Sequence, residues 1–371
     1  LIHMISVTSD HTVMLYFFVL MSAMREMCSQ FSRAKGYVKL YAFDGFLTTF
    51  MTCLLTIIFL MGFKWGINGY LSAIIITDAL SSLFLFFSAR LYKNIKFKGL
   101  DKRTFKMMLR YAIPMIPTTL LWWIVSVSDR YIITYMLGAD ANGLYAAAYK
   151  IPTIVVLVST IFMDAWQVSA VSEIKDRKAL AKFFSNVFRG YQSIIFLAGS
   201  LLIPFSKICT IILVAGDYYE SWRYIPFLML ATIYNCMVQF MGSVYMIERK
   251  GVTTLVTSII AAVTNIVGNF ILIPICGVNG AAYSTCFSYF IVFVIRAIHT
   301  RKFIRINYSV LKFGVNAILT LAQAIIMITE VPGWIIYEVI LTLLVLLLNI
   351  KVLILSFKKI IGRFGRKKAK T

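Results

Sequence analysis

The sequence predicts an all-α polytopic membrane protein, and three observations lead to this fold class. Of the 371 residues, 60% are hydrophobic and only 14% are charged, whereas a soluble domain is nearer half apolar and a quarter charged. The apolar residues fall in runs of about 20, the length that a helix needs to cross the hydrocarbon core. The 37 Lys and Arg residues far outnumber the 15 Asp and Glu residues and gather mainly between these runs. Together these features exclude a water-soluble enzyme.

Windows of about 19 apolar residues, separated by polar breaks, predict the individual membrane-spanning helices. Eleven are expected, near residues 12–31, 40–63, 67–88, 108–137, 143–172, 190–207, 224–247, 252–274, 280–298, 310–329 and 334–356.

The basic residues between the helices predict the orientation of the chain. One set of alternate loops, with the C-terminal tail, holds 31 Lys and Arg residues, Arg296 among them, and the opposite loops hold only Lys64, Lys207 and Arg223. Cytoplasmic loops carry the excess of basic residues, so we expect the tail in the cytoplasm and residue 1 outside. The net charge of +22 then follows from topology and indicates no nucleic-acid partner.

Two stretches of the sequence resemble each other. Lys35-Gly36 is followed by an apolar run and Gly66-Ile-Asn-Gly69, and the same order recurs at Lys250-Gly251 and Gly277-Val-Asn-Gly280. The alternative interpretation is local, because Asn and Gly accept positive φ in any short turn. Agreement in helix length, loop charge and turn favours a repeat.

The repeat predicts how the chain is organised. Residues 1–106 would be the remaining three helices of an N-terminal lobe, residues 107–309 a six-helix C-terminal lobe, and residues 310–371 two accessory helices with a basic tail. The three helices predicted within 108–207 have no counterpart earlier in the chain, so we expect the eleven helices to be part of a fourteen-helix protein. Its two pseudo-symmetric six-helix lobes, the first incomplete, would be related by an axis along the membrane normal.

Several motifs carry a resemblance to a known family. They are Gln30-Phe-Ser-Arg33-Ala-Lys-Gly36, the Gly66–Gly69 turn, Tyr111-Ala-Ile-Pro114-Met-Ile-Pro117, Ser128-Asp-Arg-Tyr131 and Gly143-Leu-Tyr145-Ala-Ala-Ala-Tyr149-Lys-Ile-Pro152. With them, the chain resembles the bacterial oligosaccharide flippases of polysaccharide biosynthesis. That family shares a superfamily with the multidrug and toxic compound extrusion (MATE) transporters and the lipid II flippases.

The resemblance implies a transporter without enzymatic activity. It would flip a lipid-linked oligosaccharide, usually on undecaprenyl pyrophosphate, across the bacterial cytoplasmic membrane by alternating access. The glycan would enter O-antigen and lipopolysaccharide, capsule or exopolysaccharide. The implied partners are this substrate, membrane lipids and polysaccharide polymerase or assembly proteins.

Charged residues inside predicted spans are candidate substrate ligands, because a charge in hydrocarbon usually faces a cavity or a partner. Arg130 and Lys150 lie at similar depth on either side of the turn at 138–143, and with Asp129 or a ligand anion between them they would form a pyrophosphate site. Arg25 would contribute near the cytoplasmic end. The alternative is an interfacial Asp129–Arg130 pair with Lys150 reaching outward.

Other residues are candidates for ion coupling or sugar binding. Asp129, Glu26, Asp78 and Asp164 are interpreted as ion-coupling or structural acids. Trp122, Trp123, Tyr145 and Tyr149 could stack on sugars, or serve as interfacial anchors. Asn235, Gln239, Asn265 and Asn269 are interpreted as interhelical hydrogen-bonding residues.

Two rival functions stay open at this point. A cation-coupled drug exporter of the same superfamily predicts an electronegative cavity, whereas this chain offers Arg25, Arg130 and Lys150. A membrane-embedded polymerase or glycosyltransferase would need a carboxylate cluster or a large external loop. The sequence has neither a nucleotide-binding Gly-rich lysine motif nor metal-ligand spacing of its histidines, so no cofactor or metal is expected.

Overall fold

The expected fold class is confirmed. A computed structural model describes residues 11–94, 101–172, 176–214 and 216–368. Within those ranges the secondary structure is helical, without strands. Nine of the helices are long and apolar enough to cross a membrane, and two bent helix pairs raise the number of candidate spans to eleven.

The helices follow one another closely along the chain. Their bounds are α1 Thr12–Ala34, α2 Val38–Ile57 with a π-helical turn Ile58–Gly62, α3 Gly66–Ser88, α4 Lys102–Leu137, α5 Ala139–Ala148, α6 Pro152–Ser172, α7 Arg177–Leu202, α8 Ser206–Leu213, α9 Ile225–Ile247, α10 Gly251–Cys276, α11 Val278–Thr300, α12 Val310–Thr329 and α13 Trp334–Lys368. Short 3₁₀ helices cover Leu91–Asn94 and Gly216–Tyr224.

Two predicted spans are broken rather than continuous. The span predicted at 143–172 consists of α5 and α6, bent by 44°, and the one predicted at 190–207 consists of the end of α7 and α8, bent by 76°. Pro152 and Pro204 stand at the two breaks. A proline lacks the backbone N–H and its ring clashes with the carbonyl four residues earlier, so a helix stops or bends there.

Helix α7 also begins earlier than predicted. Its first turns are polar, so they escaped the hydropathy window, but the side chain of Asp176 accepts hydrogen bonds from the backbone N–H groups of Lys178 and Ala179 at 3.1 and 3.2 Å. This cap satisfies two of the free N–H groups at the helix start. Arg189, assigned from sequence to a loop, therefore lies within α7.

The chain divides into two compact units, residues 1–101 and 102–371. In the first unit, α1 and α3 pack against each other along their length, and α2 packs on α3. In the second, α9 is the most deeply buried span and packs on α11, while α10 packs on α4 and α11.

Both Gly-x-Asn-Gly turns have the backbone that their sequences predict. Gly66 has φ +56° and Gly277 has φ +61°, values that favour glycine. The last glycine of each motif lies in the first turn of the following helix, α3 or α11. A Cβ at Gly280 would collide with the backbone carbonyl of Leu272, whereas a Cβ at Gly69 would meet its nearest neighbour, Trp65 Cβ, at 3.0 Å.

Candidate functional site

A buried carboxylate, that of Asp129 in α4, organises the polar interior of the second unit. Its Oδ1 accepts hydrogen bonds from the side-chain amides of Asn265 and Asn269 at 3.0 and 2.6 Å. Its Oδ2 accepts from the Tyr145 hydroxyl and the Thr285 hydroxyl, both at 2.7 Å. The side chain is 2% exposed, so the charge is held by four neutral donors that come from α5, α10 and α11.

Small residues allow α10 and α11 to approach closely enough for this arrangement. Ser284 donates a hydrogen bond to the backbone carbonyl of Asn265 at 2.8 Å, and a Cβ at Gly268 would collide with the Ser284 hydroxyl. Close approach of two backbones through Gly and Ser is typical of helix pairs in membranes. In this register the side-chain amide of Asn265 donates a hydrogen bond to the Thr285 hydroxyl at 3.0 Å, beside Asp129.

The Asp129 site is rich in oxygen atoms that a cation could use. Ser128 donates to Asn265 Oδ1 at 3.0 Å, while Asn269 Oδ1 is buried and has no hydrogen-bond partner. A buried acceptor without a partner is uncommon and calls for an explanation. One carboxylate with neutral amide and hydroxyl oxygens is a donor set for a hard cation, and in a medium of low polarity its single charge is balanced by a monovalent one.

A second charged residue, Arg296 in α11, is buried in the same unit at 2% exposure. Its Nε and Nη2 donate to the Thr257 hydroxyl at 3.0 and 2.8 Å, and its Nη1 donates to the Val238 carbonyl at 3.0 Å. The guanidinium carbon lies 5.8 Å from the ring centroids of both Trp122 and Tyr245, within cation–π distance. The assignment of Arg296 to a cytoplasmic loop was therefore wrong.

The first unit contains its own buried charge cluster. Arg25 Nη1 lies 3.4 Å from Asp78 Oδ1, and Arg25 Nε lies 4.0 Å from Asp44 Oδ2. Ser22 donates to Asp78 and Ser81 to Asp44, each at 2.5 Å. The cluster joins α1, α2 and α3, and its two acids and one base carry a formal charge of −1.

The structure separates Asp129 from the two cations predicted to flank it. Arg130 and Lys150 are exposed, whereas Asp129 is buried among neutral donors. Neighbouring helix residues point about 100° apart, so Asp129 faces the interior while Arg130 does not, which favours the alternative of a ligand anion between the two cations. Lys150 lies at the break between α5 and α6, in the middle of that broken span. The use of Arg130 and Lys150 as anion ligands stays a prediction.

The remaining predicted charges are more dispersed. Arg25 has Asp78 and Asp44 as partners, so it is not a free cation, and its role as an anion ligand stays a prediction. Glu26 does not pair with Arg25 but accepts a hydrogen bond from Gln30 at 2.8 Å on the exposed face of α1. Asp164 is half-buried in α6.

The predicted sugar-stacking aromatics differ in exposure. Trp123 is 62% exposed, whereas Trp122 is half-buried, with its ring 5.9 Å from that of Tyr289. Tyr145 is buried with its hydroxyl on Asp129, so the structure argues against sugar stacking at this residue. Tyr149 is half-buried, its ring 6.0 Å from that of Tyr145.

Sequence reasoning missed three residues that the structure brings into these clusters. Asp44 lies in an apolar run, and its position seven residues into α2 was the available signal. Thr285 gives no signal, since hydroxyls are common in apolar helices. Arg296 was obscured by its nearness to the basic segment 301–305. The interpretation of Asn265 and Asn269 as interhelical hydrogen-bonding residues is confirmed by their bonds to α4.

Comparisons with known proteins bear on both family and fold. Residues 6–167 match the model of a family described as polysaccharide biosynthesis protein. A comparison with curated proteins finds no match.

Solved structures with a similar fold are transporters. A mutant of the Vibrio cholerae MATE transporter VcmN is 13% identical, with a TM-score of 0.70 over 80% of this chain and 70% of that one. An outward-facing multidrug resistance MATE transporter of the multidrug/oligosaccharidyl-lipid/polysaccharide (MOP) superfamily is also 13% identical, with a TM-score of 0.65 over 75% of this chain and 65% of that one.

A third similar structure is a MOP superfamily transporter from Pyrococcus furiosus, described as having a binding pocket of reverse polarity that suggests a different function. It is 12% identical, with a TM-score of 0.59 over 70% of this chain and 62% of that one. The chain thus spans about two thirds of the length of these structures. Over residues 6–167 it resembles the polysaccharide biosynthesis proteins, as the motifs indicated, and its fold is similar to those of the MATE and MOP superfamily transporters.

Proposed function

We propose that this chain belongs to a flippase that moves a lipid-linked oligosaccharide across the bacterial cytoplasmic membrane by alternating access. One observation carries the proposal: the match to the polysaccharide biosynthesis family model includes the Ser128–Arg130 segment, on a chain with a transporter fold. The substrate would be carried on undecaprenyl pyrophosphate, and a polymerase or other assembly protein would use the product. The C-terminal tail would lie in the cytoplasm, because the loops on its side hold most of the basic residues, whereas the opposite loops hold only Lys64, Lys207 and Arg223.

In this proposal Arg130 and Lys150 hold the pyrophosphate. Both side chains are exposed, and no salt bridge to an acidic residue is found for either within the described ranges. A pyrophosphate gains charge-assisted hydrogen bonds from two cations. Arg25 would act more weakly, because Asp78 and Asp44 compensate its charge.

We further propose that the Asp129 site takes up the coupling cation, a sodium ion or a proton. The support is the single buried carboxylate, the neutral hydroxyl and amide groups around it and the free Asn269 Oδ1. In this proposal transport needs no nucleotide, because an ion gradient or the membrane potential supplies the energy.

The experiment that tests the flippase proposal uses the full-length protein in a bacterial strain that lacks its own flippase. Arg130→Ala and Lys150→Ala are each expected to abolish surface glycan and to accumulate lipid-linked oligosaccharide inside, at unchanged protein levels. Lys106→Ala provides the matched control, because Lys106 is an exposed cation near the start of the same helix α4. Arg130→Lys should retain part of the glycan export if only the positive charge is needed. It should retain little if the planar, two-donor geometry of the arginine guanidinium is needed.

The same strains distinguish the drug-exporter alternative, which the likeness to multidrug transporters favours. A drug exporter would lower susceptibility to organic cations and leave glycan export unchanged. Normal glycan export by both alanine variants would remove the two residues from the substrate site. Failure of the unchanged protein to restore export would remove the flippase proposal itself.

A further inference from the structure

An apolar groove lies between α11 and α12, in the second unit. Its volume is about 470 Å³, and the Tyr234 ring of α9 lies at its floor. The walls are almost entirely apolar and include Phe293, Phe313 and Gly314. The groove is open, and its lining includes three exposed apolar residues, Ile298, Val310 and Ile318, so a ligand would enter it from the bilayer rather than from water.

The length of the groove corresponds to one leaflet of a bilayer. It extends from Phe290 in α11 to Arg301, the residue after that helix, and from Val310 to Leu321 along α12. Each stretch rises about 16 Å at ~1.5 Å per residue, which is half of the ~30 Å hydrocarbon core. The volume corresponds to roughly sixteen groups of the size of a water molecule, at ~30 Å³ each, or one acyl chain of ordinary length.

One end of the groove is positively charged. Arg301 lines this end, and Lys302 and Arg305 follow it in the segment that joins α11 to α12, where residues 301–309 include no acid. The Arg301 guanidinium carbon lies 5.4 Å from the centroid of the Tyr308 ring, and the Tyr308 hydroxyl is 2.8 Å from that of Thr300. Arg301 thus lies over a fixed aromatic ring, while its side chain stays exposed.

We propose that this groove binds one acyl chain of an anionic glycerophospholipid, with the lipid phosphate at Arg301. The apolar length takes the chain, and the basic end takes the headgroup, as basic pockets between membrane helices do for anionic lipids. The groove contains none of the residues proposed to bind the substrate, and a bilayer lipid in it would tie α12 to α11. A polyisoprenoid chain is disfavoured as the occupant, because it is several times longer than the groove.

The test is lipid binding by the purified full-length protein, measured by native mass spectrometry during titration with phosphatidylglycerol or phosphatidylethanolamine. We expect phosphatidylglycerol to bind more tightly. Gly314→Leu should remove this binding, because a Cβ at Gly314 meets nothing within 4 Å and the longer side chain would fill the groove. Gly45→Leu is the matched control, since Gly45 is also a helical glycine with open space around it.

Arg301→Gln keeps the groove and removes only its charge. It should weaken phosphatidylglycerol binding about fivefold, the equivalent of ~1 kcal/mol for one basic side chain near an anionic lipid surface, and leave phosphatidylethanolamine binding unchanged. Equal binding of the two lipids by the wild type would overturn the proposal, as would unchanged binding by Gly314→Leu. Competition of undecaprenyl phosphate for the same site, lost in Gly314→Leu, would instead assign the groove to the substrate chain.

Discussion

The side chain of Asp129 illustrates how a membrane protein keeps a charge in its interior. An isolated carboxylate in a medium of low polarity is prohibitively costly, whereas hydrogen bonds to a charged group each contribute about 1.5–3 kcal/mol. Four such bonds, from Tyr145, Asn265, Asn269 and Thr285, make the site tolerable without a neighbouring cation. Neutral donors stabilise the carboxylate but leave its negative charge in place, so one bound cation would neutralise the site.

Asp129→Asn should abolish ion-driven transport, because it keeps the shape of the side chain and removes its charge. The measurement is uptake of lipid-linked oligosaccharide into proteoliposomes under an imposed sodium or proton gradient. Asp140→Asn, which neutralises an exposed acid at the start of α5, should leave uptake unchanged. Wild-type uptake and ion dependence in Asp129→Asn would show that the coupling ion binds elsewhere.

Thr257→Val should destabilise the second unit by about 1.5–3 kcal/mol, because the Arg296 guanidinium would lose the acceptor of two of its N–H groups. Thr254→Val is the control, since its buried hydroxyl bonds only to the Lys250 carbonyl one turn earlier. Thermal unfolding in detergent measures both. Equal shifts in the two variants would mean that Arg296 does not depend on Thr257.

At this scale the sequence predicted which residues carry charge inside the membrane, but not what each one contacts. Asp129 and Arg130 are adjacent in sequence, yet one is buried and the other exposed. The amide partners of Asp129 are 136 and 140 residues away along the chain. Contacts at that separation depend on how α4, α10 and α11 pack, and hydropathy contains no such information.

The helices themselves were predictable, because a run of apolar residues of sufficient length has few alternatives in a membrane. The bounds of α9, α10 and α12 agree with the sequence windows to within three residues. The breaks at Pro152 and Pro204 were missed, since hydropathy averages over a proline without registering its lost hydrogen bond. The polar start of α7 was missed for a related reason.

Gly280→Ala should destabilise the second unit by about 1–3 kcal/mol, the usual cost of overpacking, because a Cβ there would strike the backbone carbonyl of Leu272. Gly69→Ala, at the matching position of the other Gly-x-Asn-Gly turn, should have a smaller effect, since its nearest contact would be a side-chain carbon at 3.0 Å. Thermal unfolding of the two variants gives the comparison. A larger effect at Gly69 would contradict the close packing of α10 and α11.

Over the whole molecule, the charge asymmetry predicts topology. In a variant without the six native cysteines, Asn68→Cys should react with a membrane-impermeant maleimide in intact cells, and Lys93→Cys should react only after permeabilisation. The reason is that the turn at 66–69 is predicted on the side with only three basic residues and Lys93 on the side with most of them. Labelling of Lys93→Cys from outside would reverse the proposed orientation.

The ion pair between Arg25 and Asp78 has a consequence for biogenesis. At the centre of the membrane each charge alone costs ~2.5–3.5 kcal/mol on the scale of translocon insertion. Arg25 in α1 is synthesised 53 residues before Asp78 in α3, and the two side chains end 3.4 Å apart. When α3 leaves the translocon, α1 has therefore already entered the bilayer and carries Arg25, the counter-ion of Asp78. Successful insertion of α3 thus depends on retaining α1 nearby, so that these helices enter the lipid as a cooperative group.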